Sequence, residues 1–188
     1  MILEPFPAFS PAEYRIKFAT EGWERREAAT LRRQVFCEEQ GIFPHDDRDP
    51  IDDVAIPIVA ISSFGVAPQE VVGTVRIHQA EPGVWWGSRL AVAASYRKIG
   101  ALGTALIRLA VSSAHARGCR RFLAHVQSQN ALLFRRLHWQ AIEECSIHGR
   151  LHHFMQADLA YYRRSRMPRP DSCPCRRGPP DDRGSSLW

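Results

Sequence analysis

The chain has 188 residues, of which 45% are hydrophobic and 24% are charged, and both fractions are ordinary for a globular protein. This length favours a single domain with its own core. No apolar run approaches the roughly 20 residues that cross a bilayer, and the N-terminal sequence MILEPFPAFSPAEY has neither the basic nor the apolar region of a secretory signal. We therefore expect a cytoplasmic protein with no membrane partner.

The formal net charge of +5 is concentrated near the C-terminus. Residues 163–188 contain seven Arg and three Asp, which leaves residues 1–162 with a net charge of only +1. A nucleic-acid-binding domain would carry its positive charge on a folded face. We therefore expect no specific nucleic-acid partner and interpret 163–188 as a basic, Pro- and Arg-rich disordered tail. A nucleic-acid binder that depends on this tail is kept as an alternative.

The predicted elements mix strands and helices. Residues 1–12, which contain three prolines, are predicted to form an arm, and residues 13–162 the folded domain. In chain order we predict a strand at Tyr14–Ala19, a helix at Trp23–Phe36, a loop at Gly41–Asp53, strands at Ile56–Ser62, Val71–His78 and Val84–Val92, a helix at Ala101–Arg117, a strand at Arg121–His125, a helix at Asn130–Leu137, and strands at Ala141–Ile147 and Leu151–Leu159. Turns are predicted at Gly65–Gln69 and His148-Gly149-Arg150. This order predicts an α/β (α+β) fold, with helices on both faces of a mixed, mostly antiparallel sheet of six to seven strands.

The strand VVGTVRIH carries polar side chains on one face. Successive side chains of a strand point to opposite faces. The predicted faces are therefore Val71, Gly73, Val75 and Ile77 on one side, and Val72, Thr74, Arg76 and His78 on the other. Arg76 and His78 are expected to share a face.

Cysteine usage indicates a reducing environment and no structural metal. Cys37, Cys119 and Cys145 are far apart in patterned segments and are expected to be reduced and partly buried. Cys173 and Cys175 form a CPC pair, and two thiols cannot complete a tetrahedral zinc site.

The most informative segment is RLAVAASYRKIGALGTALI, residues 89–107, in which a strand leads through a short loop into a helix. The loop contains Arg97, Lys98 and Gly100, and Gly103 follows in the first helical turn. Small residues allow close approach of a ligand, and the N–H groups of a helix N-terminus bind phosphate. The spacing fits neither a P-loop nor a dinucleotide fingerprint. We therefore predict a different kind of pyrophosphate site.

This segment resembles motif A of the GNAT superfamily, [Q/R]xxGx[G/A], preceded by an L-x-V strand end at Leu90-Ala91-Val92. The resemblance implies that coenzyme A is bound by these three residues and by the loop and first helical turn, namely Arg97, Lys98, Ile99, Gly100, Ala101, Leu102, Gly103 and Thr104. Two alignments of this motif to the sequence stay open. If the motif begins at Arg97, Leu102 stands in place of its final small residue. If it begins at Lys98, Ala101 stands in place of its first glycine.

Two further segments support the same resemblance. NALLFRRLHW, residues 130–139, is similar to the "N…FYxxxGF" segment of the family, which implies that Asn130 contacts the coenzyme A arm. Phe134 occupies the position of a tyrosine that often protonates the leaving thiolate, and a phenyl ring has no proton to donate. A simple helix cap is the alternative role for Asn130. LRRQVFCEEQGI, residues 31–42, resembles the "VFxxEQG" signature of the first helix, and we suspect the nitrogen-starvation-associated subgroup.

A more distant resemblance is to the acyl-homoserine-lactone synthases, which share a GNAT-like fold. Their "RxxxF" helix, D-x-x-D loop and strand arginine would correspond to Arg32 with Phe36, Asp49 with Asp52, and Arg76. The motif A loop and the EEQG segment favour the resemblance to the acetyltransferases over that to the synthases.

The resemblance implies transfer of acetyl from acetyl-CoA to a small-molecule amine by direct attack on the thioester, with no metal. For the general base we rank Glu39 and His78 first, and Cys37 is a weaker candidate for a nucleophile. Glu38, Arg32 and Arg76 are the candidate substrate-binding residues. The two arginines would bind a carboxylate, whereas the acidic loop PHDDRDPIDD would attract a cationic amine. A homodimer and a non-catalytic acyl-CoA-binding sensor are also left open.

Overall fold

The computed structural model describes residues 13–64, 67–97 and 101–162, and these residues fold around one seven-stranded sheet. The strands are β1 (Glu13–Phe18), β2 (Ile56–Phe64), β3 (Ala67–Glu81), β4 (Val84–Val92), β5 (Arg121–Gln127), β6 (Trp139–Ile147) and β7 (Arg150–Ala157). The strand order is β1-β2-β3-β4-β5-β7-β6, and β4 and β5 are parallel while the other neighbours are antiparallel. The predicted mixed, mostly antiparallel sheet is confirmed.

Helices cover both faces of this sheet. They are α1 (Gly22–Arg33), which continues as a π-helical turn over Gln34–Glu39, α2 (Ala101–Ala116) and α3 (Ala131–Arg136). The apolar stripe of α2, which includes Leu106 and Val111, packs with Ile58 and Ile77 on one face. Ala28 and Leu31 of α1 pack with Val59 and other residues on the opposite face. The sheet is therefore the middle layer of three.

One predicted strand face is wrong because β3 contains a bulge. Gly73 pairs with Ala60, whereas Val71 pairs with Ile61, so Val72 has no opposite residue on β2. An extra residue in one strand reverses the alternation beyond it. Val72 therefore packs on the α2 side with Val75, and Val71 packs on the α1 side.

Two predicted turns also have different limits. Strand β3 begins at Ala67, so 67–69, which were predicted as turn, belong to the strand. In the β6–β7 hairpin, His148 and Gly149 have φ of 51° and 71°, the positive values that a two-residue hairpin requires, and Arg150 is already in β7. Within the predicted loop at 41–53, Pro50–Asp53 form a 3-10 turn.

The predictions for the arm at 1–12, the tail at 163–188 and the CPC pair lie outside the described residues, so the domain limits stay predictions. The three described cysteines, Cys37, Cys119 and Cys145, are free. Across the described ranges, no helix has the length and apolar character needed to span a bilayer.

Candidate active site

The parallel strands β4 and β5 separate halfway along their length. Residues 84–86 of β4 pair with 121–123 of β5, and the described ladder between them ends at Trp86 and Leu123. Both strands continue, to Val92 and Gln127. A cavity of about 130 Å³ lies in the opening between residues 87–90 of β4 and 124–127 of β5. No described strand pairs with the backbone edge that faces this opening, so this edge can hydrogen-bond an extended, amide-containing ligand.

A bulge in β4 shapes the wall of this opening. Thr74 pairs with Ala91 and Arg76 with Ser88, so two β4 residues lie opposite a single β3 residue. The first of the two, Arg89, has a φ of 55°, which is unusual for a residue other than glycine. The bulge therefore interrupts the regular strand at the point where β4 leaves β5.

Contacts from the acidic loop hold the Arg89 side chain. Its Nη2 donates to the backbone carbonyl of Asp47 at 2.7 Å, and its Nε lies 2.9 Å from the carboxylate of that residue. Its guanidinium also lies 4.6 Å from the ring centre of Phe43. These contacts tie the loop at 46–53 to the bulge.

A second chamber of about 250 Å³ continues the cavity towards the start of α2. Gln40, Leu90 and Asn130 line both chambers. Gly103 faces the second chamber, and the nearest atom to a Cβ added there would be Leu133 Cδ2 at 4.0 Å. The cleft therefore runs from the first turn of α2 to the split between β4 and β5.

The residues predicted to bind coenzyme A are distributed along this cleft. Those that line it are Leu90, Ala91, Val92, Arg97, Gly103, Asn130 and Phe134. Ala101 is exposed at the start of α2, Thr104 lies in the same first turn, and the side chain of Leu102 is buried in the core. Lys98, Ile99 and Gly100 lie outside the described residues. The arrangement fits a diphosphate beside the N-terminus of α2 and a narrow arm along β4.

Asn130 and Phe134 have different surroundings. Asn130 is the N-cap of α3, the position that the alternative predicts, but its side chain makes no capping hydrogen bond. Its amide therefore remains available to a ligand in the cleft. Phe134 is buried, with its ring centre 5.0 Å from that of Trp139, and contributes an apolar wall.

Glu39, a predicted general base, forms an ion pair with Arg97, a predicted phosphate-binding residue. The guanidinium of Arg97 also donates to the carbonyl of Val92. Glu39 is thus held beside the loop that leads to α2. Glu38 is exposed and lies 3.6 Å from Arg33. Neither Glu38 nor Glu39 is among the described residues that line the two chambers.

Arg32 and Arg76 both bind carboxylates of the acidic loop. Arg32 donates to Asp47 at 2.8 Å and to Asp52 at 2.6 Å, and Arg76 donates to both oxygens of Asp49 at 2.7 Å. The hydrogen bonds from Arg76 lower the pKa of Asp49 despite its partial burial. Burial alone would raise the pKa of Asp52, but the hydrogen bonds from Arg32 and Arg76 lower it strongly. A substrate carboxylate would have to displace these aspartates, so this role stays a prediction for both arginines.

His78, the other predicted base, is half-buried opposite Trp86. Its Nδ1 is buried and has no hydrogen-bond partner among the described residues. Burial and the charge of Arg76 lower the pKa of His78, and Asp49 offsets only part of the effect. The imidazole is therefore neutral at pH 7.

His125 lines the cavity at the split and was not among the predicted residues. Its ring centre lies 5.1 Å from that of Trp86 and 5.4 Å from that of Phe154. His125 is an exposed residue of β5, but the groups packed around its ring partly remove it from water, and this desolvation lowers its pKa. The charge of His152 lowers the pKa further, while Glu143 acts in the opposite direction. The alternation of RFLAHVQ predicts that His125 points to the polar face of β5. The sequence gives no sign that this polar face borders a cleft.

Comparison with known proteins gives a consistent result. Residues 23–139 match the model of the Acetyltransferase (GNAT) family, while no curated protein matches the chain. A candidate N-acetyltransferase from Lactobacillus plantarum is 23% identical, with a TM-score of 0.69 over 78% of this chain and 98% of that one. An acyl-CoA N-acyltransferase from Pseudomonas aeruginosa is 18% identical, with a TM-score of 0.62 over 78% and 99%. TofI, solved in a ternary complex with an inhibitor and MTA, is 20% identical, with a TM-score of 0.60 over 78% and 91%.

Proposed function

Since the chain belongs to the GNAT acetyltransferase family, we propose that it transfers an acyl group from an acyl-CoA thioester to the nitrogen of a small-molecule amine. The observation that carries this proposal is the end of the β4–β5 ladder at Trp86 and Leu123. It leaves a free strand edge beside a cleft that reaches the first turn of α2. A pantetheine arm carries amides that can pair with such an edge, and its diphosphate suits a helix N-terminus.

In the proposed reaction, the amine nitrogen attacks the thioester carbonyl carbon, a C–N bond forms, and the C–S bond breaks. Holding the two reactants in the cleft would supply roughly 7–11 kcal/mol of the barrier. A backbone N–H beside the bulge at Arg89 would stabilise the negative charge on the carbonyl oxygen, an effect of about 3 kcal/mol. Phe134 cannot protonate the sulfur, so the thiolate would leave as such or take a proton from water.

For the proton of the amine we propose His125 as the acceptor, and Glu39 and His78 stay predictions for this role. His125 lines the cavity at the split, and its lowered pKa keeps the ring neutral and able to accept a proton at pH 7. Glu143 is near enough to affect its titration. A neighbouring carboxylate stabilises the imidazolium that forms when a histidine takes a proton.

A second candidate function is that of an acyl-homoserine-lactone-synthase-like acyltransferase. It is favoured by the ion pairs of Arg32 with Asp52 and of Arg76 with Asp49, because these are the residues that carry that resemblance. A third candidate is a non-catalytic acyl-CoA sensor, which the phenylalanine at position 134 favours. Three points stay predictions: that the transferred group is acetyl, that the chain belongs to the nitrogen-starvation-associated subgroup, and that it forms a homodimer.

Release of free thiol from acetyl-CoA, measured with a panel of amines, tests the proposal. We expect amine-dependent release together with thermal stabilisation by coenzyme A. Stabilisation without release would favour the sensor. Release that requires an amine which also carries a carboxylate would favour the synthase-like function, because Arg32 and Arg76 are its predicted carboxylate-binding residues. A folded sample that does not bind coenzyme A in calorimetry would refute all three.

A further inference from the structure

The inner wall of the cavity at the split is apolar. Helix α2, the α2-facing side of the sheet and the α3 region contribute its side chains, which are Val75, Ile107, Ala110, Val111, Phe122, Ala124, Val126, Phe134 and Trp139. All nine are buried members of one core cluster. A pocket wall made of core residues favours an apolar ligand.

The outer wall of the same cavity is polar. Its polar side chains come from the opposite side of the sheet and from the segments that flank the cleft, and they are Gln40, Ser88, Arg89, His125, Gln127, Asn130 and His152. A thioester carbonyl and an attacking amine are polar and need such partners. The two walls therefore separate a zone suited to the reaction from an apolar zone behind it.

An acetyl group does not account for the apolar zone. Beyond its carbonyl it has a single methyl carbon, whereas the cavity measures about 130 Å³. An apolar cavity of roughly 150 Å³ holds a benzene molecule, which has six carbon atoms. Bound acetyl, with its carbonyl at the polar wall, would leave part of the apolar wall without a contact, which is unfavourable in a close-packed interior.

We propose that this cavity is an acyl-chain subsite and that the preferred donor carries a chain of about six carbons rather than acetyl. The inference rests on the proposed acyltransfer and specifies its donor. The chain enters beside Leu90, with its carbonyl at the polar wall, and its methylenes lie between β5 and α2 against Ala110 and Ala124. Each buried methylene raises affinity about fourfold.

Calorimetry with a series from acetyl-CoA to decanoyl-CoA tests this subsite. We expect affinity to rise about fourfold per methylene and to stop rising near hexanoyl. Equal affinity across the series, or a maximum at acetyl, would overturn the inference, and the apolar wall would then serve the amine or no ligand. If neither coenzyme A nor any thioester binds, the proposed function itself has failed, so the two failures are distinguishable.

Two variants make the test specific. Ala110→Leu places three more carbons in the cavity, and we expect it to weaken hexanoyl-CoA binding at least tenfold and acetyl-CoA binding much less. Ala114→Leu is the matched control, because Ala114 is buried one turn later in α2 and is not among the described residues that line the cavity. Identical chain-length profiles in Ala110→Leu and the wild-type protein would overturn the subsite.

A third variant covers the case in which Ala110→Leu does not fold. Val111→Ala enlarges the same cavity by two carbons, and we expect its affinity maximum to move to a longer chain. A maximum that stays at the wild-type chain length would count against the subsite.

Discussion

The guanidinium of Arg89 donates to the backbone carbonyl of Asp47 at 2.7 Å, although 42 residues separate the two in the chain. Arg89 is the β4 residue with a φ of 55°, and Asp47 is a buried member of the acidic loop. The acidic loop, which the sequence predicts would attract a cationic amine, therefore also supports the bulge. Charges that hold the wall of a cleft affect its shape even when they do not touch the substrate.

Arg89→Ala should lower both stability and catalysis. It leaves the carboxylate of Asp47 with one buried cation fewer, so we expect a loss of about 3 kcal/mol in the free energy of unfolding. Urea denaturation measures this loss, and kcat should fall more than KM rises. The control is Arg48→Ala, because Arg48 is exposed and 3.7 Å from exposed Asp53, a kind of pair worth at most about 1 kcal/mol. Equal losses in the two variants would contradict the role of Arg89.

Gly103→Glu should weaken coenzyme A binding by roughly a hundredfold or more, since like charges that are brought together cost several kcal/mol. The fold should persist, because the space beside Gly103 is open. Calorimetry gives the affinity and circular dichroism checks the fold. Arg108→Glu, an exposed change in the same helix, should retain binding. Unchanged affinity in Gly103→Glu would remove the diphosphate from the start of α2.

His125→Gln should lower kcat by roughly 10²–10⁴ and leave coenzyme A affinity unchanged. The neutral ring is the active form, so the rate should fall as the pH drops through the pKa of His125. Partial desolvation lowers that pKa below its ordinary value of 6.5. The wild-type rate should therefore be constant above pH 6.5 and decline below it, and the variant should lose this decline. A similar profile in both proteins would exclude His125 as the base.

Glu39→Gln separates two roles for that residue. Its carboxylate pairs with Arg97, so we expect the change to free Arg97 and to tighten coenzyme A binding a few-fold while kcat stays within about twofold. A loss of kcat comparable to that predicted for His125→Gln would instead identify Glu39 as the base. Glu38→Gln is the matched control, because Glu38 pairs only loosely with Arg33.

Stability should fall at acid pH because of the loop carboxylates. Arg76 and Arg32 keep the pKa values of Asp49 and Asp52 below their ordinary value of 3.8. Their stabilising contribution is therefore fully present above pH 3.8 and is lost as the pH falls through the lower folded values. Asp52→Asn should reduce the dependence of the melting temperature on pH in this acid range. Asp53→Asn, at an exposed position, should not.

Most of the secondary structure could be predicted from the sequence, because its signals are local. β4 has the limits that its pattern predicts, and α2 ends one residue before its predicted end. The bulge at Val72 could not be predicted, since the extra residue is defined only by what lies opposite it on β2. The split also has no local signal, because β4 continues for six residues after Trp86, and its bulge at Arg89 is defined only by what lies opposite it on β3.

The sequence by itself determined the order of strands and helices and the family, because each depends on neighbouring residues and their spacing. The tertiary structure alone decided which side chains meet. It paired Glu39 with Arg97 and Arg76 with Asp49, and it placed His125 at the opening between β4 and β5. The physical reason is that charge pairing and burial depend on distances through space, which a one-dimensional pattern does not contain.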